Sequence, residues 1–169
     1  VLGRGMLPRP LVVGGTGSQS ESMIQPEQLP DRYESGTANL PGIAGLLVGA
    51  RFALSHREEI EQYEDSLARD LRTRLSALRG VRVLGHPAAP KVGVVSFVPT
   101  AMDPGELCDA LAHDGFALRA GLHCAPSVHQ WLGTLHTGAC RASVGIYNTE
   151  TDVEALAAAV GRLLGPDRA

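Results

Sequence analysis

The chain contains 169 residues, 44% of them hydrophobic and 20% charged, which is the length and composition of one ordinary globular domain. Its net charge of −3 and its scattered arginines form no basic stretch, so we expect no nucleic-acid partner. No apolar run approaches the roughly 20 residues that span a bilayer. We therefore expect a cytoplasmic protein with no membrane partner.

Three cysteines at irregular spacing indicate reduced thiols rather than a disulfide framework. The chain begins at Val1, with no initiator methionine, and it contains a single lysine, Lys91. We expect it to be a piece of a longer protein.

The first third of the chain predicts one strand, one loop and one helix. An apolar β-branched run at residues 11–13 predicts a short strand that enters the glycine-rich turn GGTGS at residues 14–18. Such a turn is either a tight structural turn or a set of N–H groups that converge on a phosphate. A polar loop is expected over residues 25–39. The apolar segment that begins near Pro41 then predicts a buried helix.

The rest of the chain alternates between helices and strands. Apolar residues at spacings of three and four predict a long amphipathic helix that ends at Gly80; they are Ile60, Tyr63, Leu67, Leu71, Leu75 and Leu78. Four strands are predicted, at residues 81–84, 92–98, 116–119 and 140–146. Asp103 is the expected N-cap of one helix, and Thr149 or Thr151 of the last, with a short helix at residues 128–132. This order predicts an α/β or α+β fold with helices on a small sheet.

The stretch RAGLHCAP, residues 119–126, places Cys124 in a predicted loop beside a histidine and near two arginines. That setting lowers a thiol pKa and exposes the sulfur, whereas free cysteine is most often a small buried hydrophobe. On this local chemistry, Cys124 is either a reactive nucleophile or a small hydrophobic residue that fills space in the core. For Cys108 and Cys140 we predict the buried role.

A zinc site is the alternative use of the cysteines and histidines in this region. The candidate ligands are His123, Cys124, His129, His136 and Cys140. Their spacing matches none of the usual paired patterns, and adjacent side chains of an extended segment point to opposite sides. We predict no metal site.

Arg141 interrupts a predicted strand that is otherwise small and apolar. It is either an edge-strand charge that reaches solvent or a planar guanidinium that pairs with a carboxylate. The residues alone leave both interpretations open.

Four motifs together resemble the cysteine desulfurases, pyridoxal-phosphate (PLP) enzymes of the class V aminotransferase family. They are GGTGSQSES, RYESGTAN, RAGLHCAP followed by His129, and CRAS followed by YNTE. The resemblance covers nearly the whole chain and implies the α+β C-terminal domain of a fold type I PLP-dependent transferase, plus the end of its large domain. It implies that residues 1–40 end the large PLP-binding domain and form a loop across a dimer interface. Residues 41–80 would be linking helices, and residues 81–169 the small domain with the catalytic-cysteine loop.

The resemblance also implies a reaction and a set of site residues. Cys124 would take sulfur from L-cysteine or a related amino acid as a persulfide and release alanine. Arg141 would bind the substrate carboxylate, with His123 and Arg119 as neighbouring substrate-binding residues. Thr37 and Gly36 would contact the cofactor phosphate of the other subunit in a homodimer; a sulfur-acceptor protein in iron–sulfur cluster assembly would be a further partner.

Two departures from the family pattern bear on activity. The family binds PLP through a lysine in a Ser-x-His-Lys context, which this sequence lacks, so we expect the chain alone to be inactive. Leu122 stands where many members carry a second histidine, so the subfamily and the sulfur acceptor stay open. The alternatives are an aminotransferase, an epimerase, a selenocysteine lyase, or a non-catalytic dimerisation or sulfur-acceptor module.

Overall fold

The structure, a computed structural model, describes residues 7–86 and 92–165. The chain divides into two compact units, the first ending at Leu54 and the second beginning at Ser55. Lys91 lies outside the described residues. None of the helices in the described ranges has the length and apolar character that a membrane crossing requires.

The first unit consists of irregular chain followed by one helix. The strand predicted at residues 11–13 is wrong, because these residues form no strand. The described part of this unit offers no second strand with which they could pair, and an isolated strand leaves its backbone groups without partners. At the start of the glycine-rich turn, Gly14 N–H donates a hydrogen bond to Gln25 Oε1 at 3.0 Å. This bond connects the turn to the polar loop. The polar loop over residues 25–39 is confirmed.

Helix α1, Leu40–Ser55, forms where the apolar segment predicts a helix. Asn39 Oδ1 accepts a hydrogen bond from Gly42 N–H at 3.0 Å and so satisfies one donor of the first turn. The prediction that this helix is buried is wrong: none of its residues is buried, and Leu46 is 73% exposed. Composition predicted the helix correctly, but it does not predict whether the helix is buried.

The second unit is a four-stranded antiparallel sheet with helices, so the mixed class predicted from the sequence is confirmed. Its strands lie in the order β1-β2-β4-β3. The strands are β1 Val81–Val83, β2 Val94–Pro99, β3 Arg119–Gly121 and β4 Ala139–Ser143. The helices are α2 Arg57–Ser76, α3 Pro104–His113, α4 Pro126–Leu132 and α5 Glu150–Leu164.

One face of the sheet forms the hydrophobic core. Phe97 of β2 and Cys140 of β4 are fully buried there against leucines of α2, α3 and α5. Successive side chains of a strand point to opposite faces. Ser96 and Arg141, which are directly paired across β2 and β4, therefore lie on the other face of the sheet.

The amphipathic helix was predicted correctly except that it ends at Ser76 rather than at Gly80 and that Tyr63 is not buried, and the N-cap of α3 was predicted correctly. Leu67, Leu71 and Leu75 of α2 are buried as expected, whereas Tyr63 is 40% exposed and donates its hydroxyl hydrogen to Asn148 O at 2.7 Å. Asp103 caps α3 by accepting from Gly105 N–H at 2.7 Å.

The strand predicted at residues 116–119 forms later, at Arg119–Gly121. Gly115 has a φ of +90°, and Phe116 N–H donates to Leu111 O at 2.9 Å. This bond belongs to the C-terminal end of α3. The predicted strand therefore could not begin at residue 116, because that residue is still hydrogen-bonded to the helix.

Thr149, not Thr151, caps α5, and its removal should destabilise the second unit. Thr149 Oγ1 accepts from Asp152 N–H at 3.3 Å, and Asp152 Oδ2 accepts from Thr149 N–H at 2.8 Å. Thr149→Ala should lower the free energy of unfolding by about 1 kcal/mol. Thr151→Ala, the control two residues on, should change it by less than about 0.5 kcal/mol. Urea unfolding followed by circular dichroism would measure both, and equal losses would contradict this cap assignment.

Candidate functional site

Two arginines face each other across strands β3 and β4. Arg119 and Arg141 are directly opposed in the antiparallel register and lie on the sheet face opposite the core. Like charges at such positions repel each other. The buried Nε of Arg141 has no hydrogen-bond partner among the described residues. A bound anion would relieve both conditions, and a carboxylate matches the planar geometry of the guanidinium.

The loop that carries Cys124 leaves β3 in a strained conformation. His123 and Cys124 have φ values of +50° and +58°, so both are left-handed rather than extended as the zinc argument assumed. Each left-handed L-residue costs about 1–2 kcal/mol. Gly138 fixes the base of this loop, since a Cβ there would lie 2.7 Å from the Cα of Gly121. Strain of this kind is concentrated at functional sites.

The three cysteines lie in different surroundings. Cys124 is exposed, whereas Cys108 and Cys140 are buried in the core, as predicted for those two. Cys140 Sγ donates to Pro104 O at 3.4 Å, and its hydrogen bond with Cys108, together with burial, raises the pKa of the Cys140 thiol. Among the described residues no three metal-ligating side chains come together, so the five zinc candidates do not assemble into one site.

His123 lies beside Cys124 and has a defined tautomer. Its Nε2 is 3.2 Å from Arg119 O, and because a carbonyl only accepts, Nε2 carries the hydrogen and Nδ1 keeps its lone pair. Burial lowers the pKa of His123, and the charges of Arg141 and Arg119 lower it further, while the bond to Arg119 O raises it. The imidazole is therefore neutral near pH 7.

A second imidazole, His129 of α4, lies close to the first. It is 4% exposed, its Nδ1 is 2.8 Å from Thr134 Oγ1, and its ring centroid is 6.0 Å from that of His123. The sequence singled out His129 as a zinc-ligand candidate and as the residue that follows the RAGLHCAP motif, but it did not single out Thr134. The histidine lies on a short helix and the threonine beyond its end, a pairing that the periodicity of the sequence does not reveal.

His123, His129 and Arg141 line a cavity of about 610 Å³ on the face of the sheet opposite the core. Cys124 lies between two of the lining residues, His123 and Ala125. The polar lining residues are Glu61, Arg72, Ser96, His123, His129 and Arg141. The other lining residues are Leu84, Gly85, Val92, Val94, Ala125, Val128, Leu132 and Ala139. This volume and mixture are typical of a small-molecule site.

The two residues predicted to contact a cofactor phosphate belong to the first unit. Gly36 has a φ of +82°, and its N–H donates to Gly15 O at 2.7 Å; Thr37 is exposed. No lysine occurs in the described ranges, since Lys91 is the only one in the chain. These ranges therefore hold candidate phosphate and carboxylate contacts, but no amine to which PLP would attach.

The sequence profile of the aminotransferase class-V family matches residues 4–156. The chain belongs to this family. It is 37% identical over 132 residues to a probable cysteine desulfurase of Halalkalibacterium halodurans, covering 78% of this chain and 32% of that protein. The resemblance stated from the four motifs is confirmed.

Solved structures of class-V relatives share the fold. The apo structure of a cysteine desulfurase from Thermococcus onnurineus has a TM-score of 0.69 and 32% identity, covering 79% of this chain and 33% of that one. The cysteine desulfurase CsdA (S-sulfonic acid) of Escherichia coli has a TM-score of 0.69 and 29% identity, covering 92% and 39%. The chain thus spans about a third of the length of the curated relative described above.

Alkylation should distinguish the three thiols under native conditions. Because Cys124 is exposed and the other two are 7% exposed or less, iodoacetamide should label Cys124 at least about 10 times faster than Cys108 or Cys140. Peptide mapping by mass spectrometry after timed quenching would measure the three rates, and labelling in urea would serve as the control in which they converge. Comparable native rates would contradict the burial described above.

Proposed function

We propose that the protein to which this chain belongs is a PLP-dependent cysteine desulfurase, of which this chain is the C-terminal part. The proposal rests above all on Arg141, whose buried Nε lacks a partner in a cavity beside an exposed cysteine. The names of the relatives support the same activity. The proposed domain division is that of the sequence analysis, with a large domain ending near residue 40, linking helices to residue 80 and a small domain beyond.

In the proposed reaction Cys124 is the nucleophile. Its sulfur forms an S–S bond with the sulfur of L-cysteine, the carbon–sulfur bond of the substrate breaks, and alanine leaves. The exposure of Cys124 supports this role, because the persulfide must then pass its outer sulfur to another protein. We propose a cytoplasmic sulfur-acceptor protein as that partner, with iron–sulfur cluster assembly as the destination.

Arg141 would hold the substrate carboxylate, and Arg119 would add positive charge from the neighbouring strand. His123 would contribute a neutral imidazole beside the nucleophile. Its bare Nδ1 can accept a proton, which is the property that thiol chemistry requires of a neighbouring group.

PLP is the cofactor of this proposal and would supply the electron sink when bound. The described residues fit only part of it. Thr37 and Gly36 would contact its phosphate across a homodimer interface, while the amine would come from a lysine in the remainder of the protein. The chain alone would then be inactive.

The other class-V reactions and the non-catalytic module receive less support. The curated relative above is named a cysteine desulfurase rather than an aminotransferase, epimerase or selenocysteine lyase. A module that never binds an amino acid would have no use for an arginine in this cavity whose buried Nε lacks a partner.

Replacement of the proposed nucleophile in the full-length protein tests the activity directly. Cys124→Ala should lower alanine and sulfide production from L-cysteine by at least about 100-fold, because no other exposed thiol lies in this loop. Cys108→Ala, a change at a buried thiol that does not line the cavity, is the matched control and should retain activity. Normal turnover in Cys124→Ala would exclude the persulfide mechanism.

The carboxylate contact should appear as a change in KM. Arg141→Gln removes a charge-assisted hydrogen bond worth about 1.5–3 kcal/mol, so the KM for L-cysteine should rise about 10- to 100-fold. Arg82→Gln is the control, since Arg82 is exposed, does not line the cavity and donates to Leu132 O at 3.4 Å. Steady-state kinetics of both variants would measure the effect. An unchanged KM in Arg141→Gln would reject this role.

A further inference from the structure

His129 is a buried titratable residue to which the proposed reaction gives no part. It is 4% exposed, yet it lines the same cavity as Arg141 and His123. A buried imidazole that faces a cavity and is fixed by another side chain is a candidate ligand contact.

Thr134 is the hydrogen-bond partner of this imidazole. Thr134 is 2% exposed, its Oγ1 lies 2.8 Å from His129 Nδ1, and the same oxygen lies 3.5 Å from His129 O. When the hydroxyl hydrogen is directed to that carbonyl, Oγ1 accepts from His129 Nδ1. In this arrangement, on which the inference below is built, Nδ1 carries the ring hydrogen and Nε2 keeps a lone pair.

The ring points toward the Cys124 loop. His129 N–H donates to Ala125 O at 3.2 Å, so His129 lies one turn into α4, above the residue that follows Cys124. Side chains of a helix lean toward its N-terminus. The 6.0 Å separation between the His123 and His129 rings agrees with that direction. Because the Nδ1 edge faces Thr134, the opposite edge with Nε2 is left for the cavity.

The remaining wall limits what Nε2 can meet. Val94, Val128 and Leu132 line the cavity with it, and this apolar part of the wall disfavours a charged group without a partner. The polar residues Glu61, Arg72 and Ser96 also line the cavity. A neutral donor, the S–H or O–H of a small side chain, satisfies an acceptor in such surroundings.

We propose that His129, oriented by Thr134, is a specificity-determining residue that accepts a hydrogen bond from the side chain of the bound amino acid. It thereby selects side chains that carry a thiol or hydroxyl over alkyl side chains of similar size. This inference rests on the proposed function, in which Arg141 takes the carboxylate and the cofactor takes the amino group, so that only the side chain is left for this wall.

Binding of two unreactive analogues to the full-length protein tests the inference. L-serine carries an O–H donor, and L-2-aminobutyrate carries a methyl group at the same position. One neutral hydrogen bond is worth about 0.5–1.5 kcal/mol, so the Kd for L-serine should be about 3- to 10-fold lower than that for L-2-aminobutyrate. Isothermal titration calorimetry gives both constants without turnover.

Variants at Thr134 separate this role from a structural one. Thr134→Val removes the acceptor for Nδ1 and should bring the ratio of the two constants to about 1, as should His129→Leu, which removes the imidazole. Thr134→Ser keeps the hydroxyl and should retain the wild-type ratio. Loss of packing alone would weaken the binding of both analogues equally and leave the ratio unchanged.

The outcomes also distinguish this inference from the proposed function. A preference for L-serine that is lost in Thr134→Val supports the inference even if the protein fails to release sulfur from L-cysteine, which would reject only the desulfurase activity. A wild-type ratio near 1, or a ratio that persists in folded Thr134→Val and His129→Leu, overturns the role of His129. Absence of binding by either analogue also overturns it.

Discussion

The close approach of two backbones, Gly138 and Gly121, is the constraint on which the site depends. A Cβ at Gly138 would lie 2.7 Å from the Gly121 backbone, so only glycine allows β3 and β4 to begin their pairing there. In that pairing Arg119 lies directly opposite Arg141, and the left-handed turn that contains Cys124 begins just after β3. The positions of the two arginines and of the exposed thiol therefore depend on one backbone contact.

Local signals predicted much of the second unit. The leucine spacing of α2 and the acceptor side chain of Asp103 act within a few residues, so a single sequence is enough to identify the helix and the cap. The burial of Cys108 and Cys140 also follows from their apolar neighbours. The order of the strands in the sheet could not be predicted, because it depends on pairing between residues that are far apart in the sequence.

The failures have a common physical cause. The strand at residues 11–13 and the burial of helix α1 were predicted from composition, which gives propensity but does not identify a partner. No strand forms at residues 11–13, because the described part of the first unit has no strand with which to pair, and helix α1 forms without any buried residue. The contact between His129 and Thr134 was not predicted for a similar reason, because the fold, not helical periodicity, brings the two side chains together.

The two faces of strand β4 have different surroundings, since Cys140 packs in the core and Arg141 lines the cavity. A one-residue slip of a strand exchanges its faces. A deletion between Gly138 and Arg141 would thus bury a guanidinium and expose a thiol. The loop between Leu132 and Gly138 does not pair with the sheet. Differences in length among homologues should therefore be confined to the exposed residues 135–137, between the buried Thr134 and Gly138, and should be absent from the three residues that follow the loop.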